Sequence, residues 1–161
     1  METPALLSSL LLRLPALLLV WMLVCAEDGR PLRSQSWWAT ALLALLGVVT
    51  LLPPLEFVSD VNARGDANYQ QQFIIALAAL VGGLTGLSGI LHRWANLLWG
   101  VLGIIGVVSS LWGALRVVAL LRGFGVDTVL GPGLWLTCLL FTLVSGTALG
   151  YLLLKKRGSA A

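Results

Sequence analysis

The chain has 161 residues, 58% of them hydrophobic and only 11% charged, with a mean hydropathy of +0.95. Soluble domains carry about 25% charged residues, and no water-soluble fold of this length could hide so much apolar surface, which excludes a soluble enzyme or binding domain. The net charge of +3 comes from scattered Lys and Arg without the basic, aromatic-interleaved patch of a nucleic-acid surface, so the cations are read as topogenic.

Crossing about 30 Å of hydrocarbon takes about 20 apolar residues at 1.5 Å each. Five stretches qualify or nearly do: about 5–25, 37–55, 72–91, 95–121 and 130–154. The first is interrupted by Arg13 and Pro15. A central Arg costs about 2.5 to 3.5 kcal/mol, while leucines contribute about 0.5 kcal/mol each, and the ten leucines of this stretch outweigh the Arg narrowly. It is therefore read as a retained helix, either spanning with an exterior N-terminus or lying at the interface. A cleaved signal peptide is the competing reading, with Leu14 to Cys25 as the apolar region and Val24 and Ala26 flanking the cut. Cleavage there would invert the charge bias of everything that follows.

The second stretch stops at Pro53-Pro54, where missing amide donors and ring clashes end a helix. A polar loop follows over 56–71. The third stretch is bracketed by Gln70-Gln71-Gln72 and His92-Arg93, so close to the fourth that the two are expected to form a hairpin. Gly123, Gly125 and Gly131-Pro132-Gly133 mark the turn into the last. The expected fold is an all-α, polytopic transmembrane helical bundle in a single membrane domain, 1–161. Four helices from Trp37 onward form two hairpins, with the N-terminal hydrophobic helix packed alongside or at the interface.

With the C-terminus inside, the cytoplasmic segments hold six cations, Arg30, Arg33, Arg93, Lys155, Lys156 and Arg157, against Arg64 and Arg122 outside. Positive charge is retained on the cytoplasmic side, so the tail 155–161 is placed there, and a plasma (inner) membrane location is expected. Glu56, Asp60 and Asp66 then share the exterior loop. Trp37, Trp38, Trp94 and Tyr151 serve as inner interface anchors, Tyr69 and Trp135 as outer ones. Trp99 and Trp112 are read as packing residues.

Small residues recur at helix-packing intervals: Gly82, Gly86 and Gly89; Gly100, Gly103 and Gly106; Ser109 and Gly113; Gly146 and Gly150. Bare stripes let backbones approach closely, which matters where lipid supplies little hydrophobic drive for association. Within the bundle they join helices; on its surface they would join a partner. None is a phosphate loop, because no Lys and Ser or Thr follow. Intramembrane ionisable residues are functional candidates by default. Arg116 either snorkels outward or pairs with Glu56 or Asp60, and that trio is the candidate polar site. No Asp or Glu lies at mid-depth in the last four stretches, which weakens an ion-coupled transporter.

A single histidine, His92, excludes bis-histidine haem ligation within the chain, and Cys25 and Cys138 have no redox or metal spacing, so no cofactor is expected. Arg64-Gly65-Asp66 resembles the integrin-binding tripeptide but is read as part of a solvated loop. Gly133-Leu134-Trp135-Leu136-Thr137-Cys138 resembles the short claudin signature; its place in the last hydrophobic stretch, and the lack of a second nearby cysteine, set it apart from that family.

The functional expectation is a non-enzymatic accessory or scaffold subunit, with the lipid bilayer and a membrane-protein partner or its own copies as partners and no nucleic acid. The alternatives are a small-solute transporter or channel component and, third, a membrane enzyme acting on lipid.

Overall fold

The computed structural model describes residues 3–25 and 35–158. Arg30 and Arg33, part of the charge bias, and residues 159–161 of the tail lie outside the described residues. Six α-helices follow in order: α1 (Thr3–Cys25), α2 (Gln35–Leu51), the single-turn α3 (Glu56–Ser59), α4 (Ala67–Leu87), α5 (Ala95–Gly123) and α6 (Pro132–Gly158). Short 3₁₀ turns precede α4 at Ala63–Gly65 and α5 at His92–Trp94. No strand occurs among the described residues.

Four helices are long and apolar enough to cross a bilayer, over Leu6–Cys25, Ala67–Leu87, His92–Gly123 and Pro132–Lys155. The shorter apolar helix is α2, with 17 residues, and not the N-terminal one. Two local effects reverse the expected ranking. Pro53-Pro54 cuts α2 at Leu51, four residues before the expected end, and the terminal carbonyl of Leu52 is taken by the Gln72 side-chain amide at 2.8 Å. Pro15, in contrast, is accommodated inside α1.

The cross-helix contacts fix the direction of every helix. Ser9 and Arg13 meet Asn68, and Trp21 meets Ala78, so α1 and α4 run parallel. Trp37 bonds Leu87 while Gln72 bonds Leu52, so α2 is antiparallel to α4 and covers most of its length. Trp99 bonds Met22 and Gly113 abuts Leu11, which sets α5 antiparallel to α1. Gly100 abuts Leu149 and Gly106 abuts Phe141, which sets α6 antiparallel to α5. Because α1 and α4 are parallel, the chain must return along α2 between them, and that short helix therefore traverses the same depth.

The main helix contacts pair α2 with α4 and α5 with α6, and α1 packs on α2, α4 and α5. The expected hairpin of α4 with α5 is not among them: their brief connection brings both onto α1 instead of onto each other. Gly89 makes that reversal, with a left-handed φ of 76° that other residues rarely adopt. It lies beyond the end of α4, so its role is in the turn and not in helix packing.

Two hydrophobic cores result, and α1 supplies both. Leu17, Val20 and Val24 join Ala44 and Val48 of α2 and Ala76 and Ala79 of α4. On another face, Leu18 and Met22 join Leu102 of α5 and Phe141 of α6. Val24 is 0% exposed and Phe141 1%. The helix expected alongside the bundle or at the membrane interface is the bundle's central element.

Candidate functional site

The interfaces are built as knobs on bare backbone. Val20 of α1 lies against Gly47 of α2 on one side and Gly83 of α4 on the other. Trp21 covers Gly82, and Val24 covers Gly86, where an added Cβ would lie 3.1 Å from the Val24 backbone carbon. On α5 the stripe receives α6: an added Cβ would lie 2.8 Å from Leu149 at Gly100, 3.0 Å from the Phe141 carbonyl at Gly103, and 2.5 Å from the Phe141 ring at Gly106. Gly113 receives the Leu11 backbone of α1, where an added Cβ would lie 3.2 Å from the Leu11 carbonyl. That carbonyl is the i−4 acceptor for which Pro15 has no amide N–H to offer, so the backbone approach at Gly113 falls beside the hydrogen bond that the proline removes from α1. Gly82, Gly86, Gly100, Gly103, Gly106 and Gly113 are therefore all used within the chain; Gly47 and Gly83 add two that the sequence reading did not single out.

Gly146 and Gly150 differ. A Cβ at either position meets nothing within 4 Å among the described residues, and the surrounding face of α6, with Leu139, Leu143 and Leu153, is exposed.

Indole N–H groups tie α1 to its neighbours. Trp99 donates to the Met22 carbonyl at 2.6 Å and Trp21 to the Ala78 carbonyl at 3.2 Å. A polar cluster does the same at the other end of α1. Ser9 Oγ donates to Asn68 Oδ1 at 2.7 Å, and Arg13 Nη1 donates to Ser9 Oγ at 2.7 Å and to Asn68 Oδ1 at 3.1 Å. Arg13 lies roughly 10 Å along α1 from Leu6 at 1.5 Å per residue, yet its acceptor is the second residue of α4. The long side chain thus reaches from mid-helix to the bundle end. The Ser9–Arg13 spacing of four was a legible signal; Asn68 was hidden because that residue was assigned to the loop.

The Arg116, Glu56 and Asp60 trio is not brought together. Arg116 lies over the Trp112 ring, 5.9 Å from its centroid, and Trp112, expected as a packing residue, is 52% exposed. Asp60 accepts from the Asn62 amide at 2.8 Å, Glu56 opens α3, and no ion pair links either to Arg116 among the described residues. The Arg64-Gly65-Asp66 tripeptide is absorbed structurally. Asp66 is the N-cap of α4, accepting from the amides of Asn68 and Tyr69, and Arg64 donates to the carbonyls of Phe57 and Val58. The aromatic anchors sort as expected: Trp37, Trp38, Trp94 and Tyr151 at one end, Tyr69 and Trp135 at the other.

Among the described residues no three of His, Cys, Asp and Glu converge as metal ligands. Cys25 and Cys138 are buried free thiols at opposite ends of the parallel helices α1 and α6. A cavity of about 470 Å³ opens between the end of α5 and the start of α6. Arg122, Thr128 and Trp135 line it together with Leu115, Val118 and Leu130. Thr128 Oγ1 is buried and has no hydrogen-bond partner.

Fold and interfaces together define an integral membrane protein built as a helical bundle. No protein-family model, curated protein or solved structure matches the chain.

Proposed function

We propose that the protein is a non-enzymatic accessory or scaffold subunit of a membrane assembly, with its C-terminus cytoplasmic in the plasma (inner) membrane, and that it docks through the outer face of α6. The observation that carries this reading is the contrast between glycines. Six of the stripe glycines are filled by side chains or backbone of the same chain, whereas Gly146 and Gly150, one turn apart, face open space on an exposed apolar helix. In lipid, such a bare strip favours close approach of a second helix, because packing and not hydrophobic exclusion drives association. The occupant is a helix of a partner subunit or α6 of a second copy. The connections between helices are short and hold no extramembrane domain, which further supports an assembly role.

The orientation rests on the charge bias of the loops. The experiment is purification in mild detergent with crosslinking and mass spectrometry, for the natural sequence and for a Gly146→Leu/Gly150→Leu variant. The natural chain is expected to be recovered with a stable partner or as an oligomer, and the variant as a folded monomer. A natural chain that is monomeric and partnerless under these conditions overturns the reading.

A further inference from the structure

We propose that the cavity between the end of α5 and the start of α6 binds the headgroup end of an anionic phospholipid. The inference rests on the membrane-spanning placement of these two helices and is independent of the scaffold reading.

Helix α5 has 29 residues and is about 44 Å long, well beyond about 30 Å of hydrocarbon. Its last turn, with Arg122, therefore projects into the headgroup region. Trp135, in the first turn of α6, lies at the same level, where amphipathic rings concentrate. The connecting loop exposes Phe124, Val126 and Val129, apolar side chains suited to the boundary between headgroups and acyl chains. The cavity thus opens at the interface, and its volume of about 470 Å³ lies in the range of small-molecule sites, roughly 300 to 1,000 Å³.

The lining has the two characters of a phospholipid. Leu115, Val118 and Leu130 form an apolar wall for the upper acyl chain, and Arg122 stands at the polar end. Among the described residues no carboxylate lines the cavity: Asp127 is exposed and outside the lining. A second cavity of about 310 Å³ shares Ala119 with the first and is lined by Arg116, so both adjoining hollows carry a cation. A guanidinium beside an apolar wall suits an anionic headgroup, through charge-assisted hydrogen bonds to its phosphate oxygens. Thr128 supplies an independent pointer. Thr128 lines the cavity, and its hydroxyl is buried without a hydrogen-bond partner among the described residues, whereas such groups are ordinarily satisfied. A phosphodiester has the oxygens to accept from a guanidinium such as that of Arg122 and from a hydroxyl such as that of Thr128.

The test uses the full chain, delipidated in mild detergent and offered phosphatidylglycerol or phosphatidylcholine in mixed micelles, with retained lipid counted by native mass spectrometry. The natural chain is expected to retain phosphatidylglycerol at least fivefold over phosphatidylcholine. Arg122→Gln should bring that preference within twofold, and Ala119→Phe, which fills the shared wall, should lower retention of both lipids at least fivefold. Thr128→Val keeps the shape and charge of the site and should weaken phosphatidylglycerol retention severalfold; it stands in for Ala119→Phe if the larger residue prevents folding. Brominated phosphatidylglycerol should quench tryptophan emission less in Trp135→Phe than in the natural chain. Equal retention of the two lipids by the natural chain overturns the proposal. So does a phosphatidylglycerol preference unchanged in Arg122→Gln, or retention of a free fatty acid in place of the phospholipid.

Discussion

Arg13 Nη1 donates to Asn68 Oδ1 at 3.1 Å across the contact of α1 with α4, and Ser9 Oγ donates to the same oxygen at 2.7 Å. One amide oxygen therefore serves two polar groups of α1 at this end of the interface. Removing a shared acceptor should cost more than removing one donor, since it leaves a partly buried cation with only Ser9. Asn68→Leu is expected to destabilise the bundle by about 1 to 3 kcal/mol. Arg13→Leu should cost less than that, and the double variant should recover much of the loss. Unfolding by dodecyl sulfate titration in detergent, followed by tryptophan fluorescence, measures all three. A coupling of zero in this cycle would mean that the contact is structurally idle.

The glycines permit a matched comparison of the same substitution. Alanine in place of a helical glycine gains about 0.8 to 1 kcal/mol from backbone propensity. At Gly146, where a Cβ meets nothing, that gain should appear as neutral or raised stability of the isolated chain. At Gly106 the Cβ would lie 2.5 Å from the ring of Phe141, which is 1% exposed and has nowhere to move. Overpacking there should outweigh the propensity gain and give a net loss of about 1 to 3 kcal/mol. Thermal unfolding of Gly106→Ala and Gly146→Ala side by side decides it.

The loop tripeptide leads to a local prediction. Asp66 Oδ1 accepts from the Asn68 amide at 2.7 Å, and the Gln70 side chain donates to the Arg64 carbonyl at 2.8 Å. Asp66→Ala removes the cap and should cost about 0.5 to 2 kcal/mol, while Asp66→Asn should cost little. Hydrogen exchange should localise the effect, with protection falling at the Asn68 and Tyr69 amides and remaining unchanged in α5. Uniform loss of protection throughout the chain would contradict a capping role.

How far the architecture was readable follows from these same residues. Class and number of hydrophobic helices were legible because apolar length is a one-dimensional property, and α5 begins at the expected Ala95. The place of each helix was not. Val20 and Val24 look like any lipid-facing valine until Gly47, Gly83 and Gly86 are seen beneath them, and an interrupted stretch such as α1 reads as marginal when its Arg13 is scored alone. Asn68 supplies the missing acceptor only in three dimensions. Likewise the charges of Glu56, Asp60 and Arg116 suggested a cluster, but each is engaged locally or stands apart, and nothing in their spacing could reveal that. The lipid cavity depends on the meeting of Arg122, Thr128 and Trp135 from three successive segments, of which Trp135 alone was noted as an anchor.

The central position of α1 yields the strongest prediction. Leu17, Val20 and Val24 complete the core with α2 and α4, while Leu18 and Met22 complete the core with α5 and α6. A chain beginning at residue 26 would keep the two helix pairs but lose the element that holds both. It would also expose the glycine notches to lipid on one side, with no knobs to fill them. Such a truncation is expected to give no monodisperse bundle in mild detergent, and supplying residues 1–25 as a separate segment should restore one. Cys138 reports the outcome without engineering. It is buried in the full chain and is the sole thiol left after truncation, so its maleimide labelling should accelerate at least tenfold and slow again when the first helix is returned. Unchanged labelling in a monodisperse truncated chain would show that the two pairs hold together without α1.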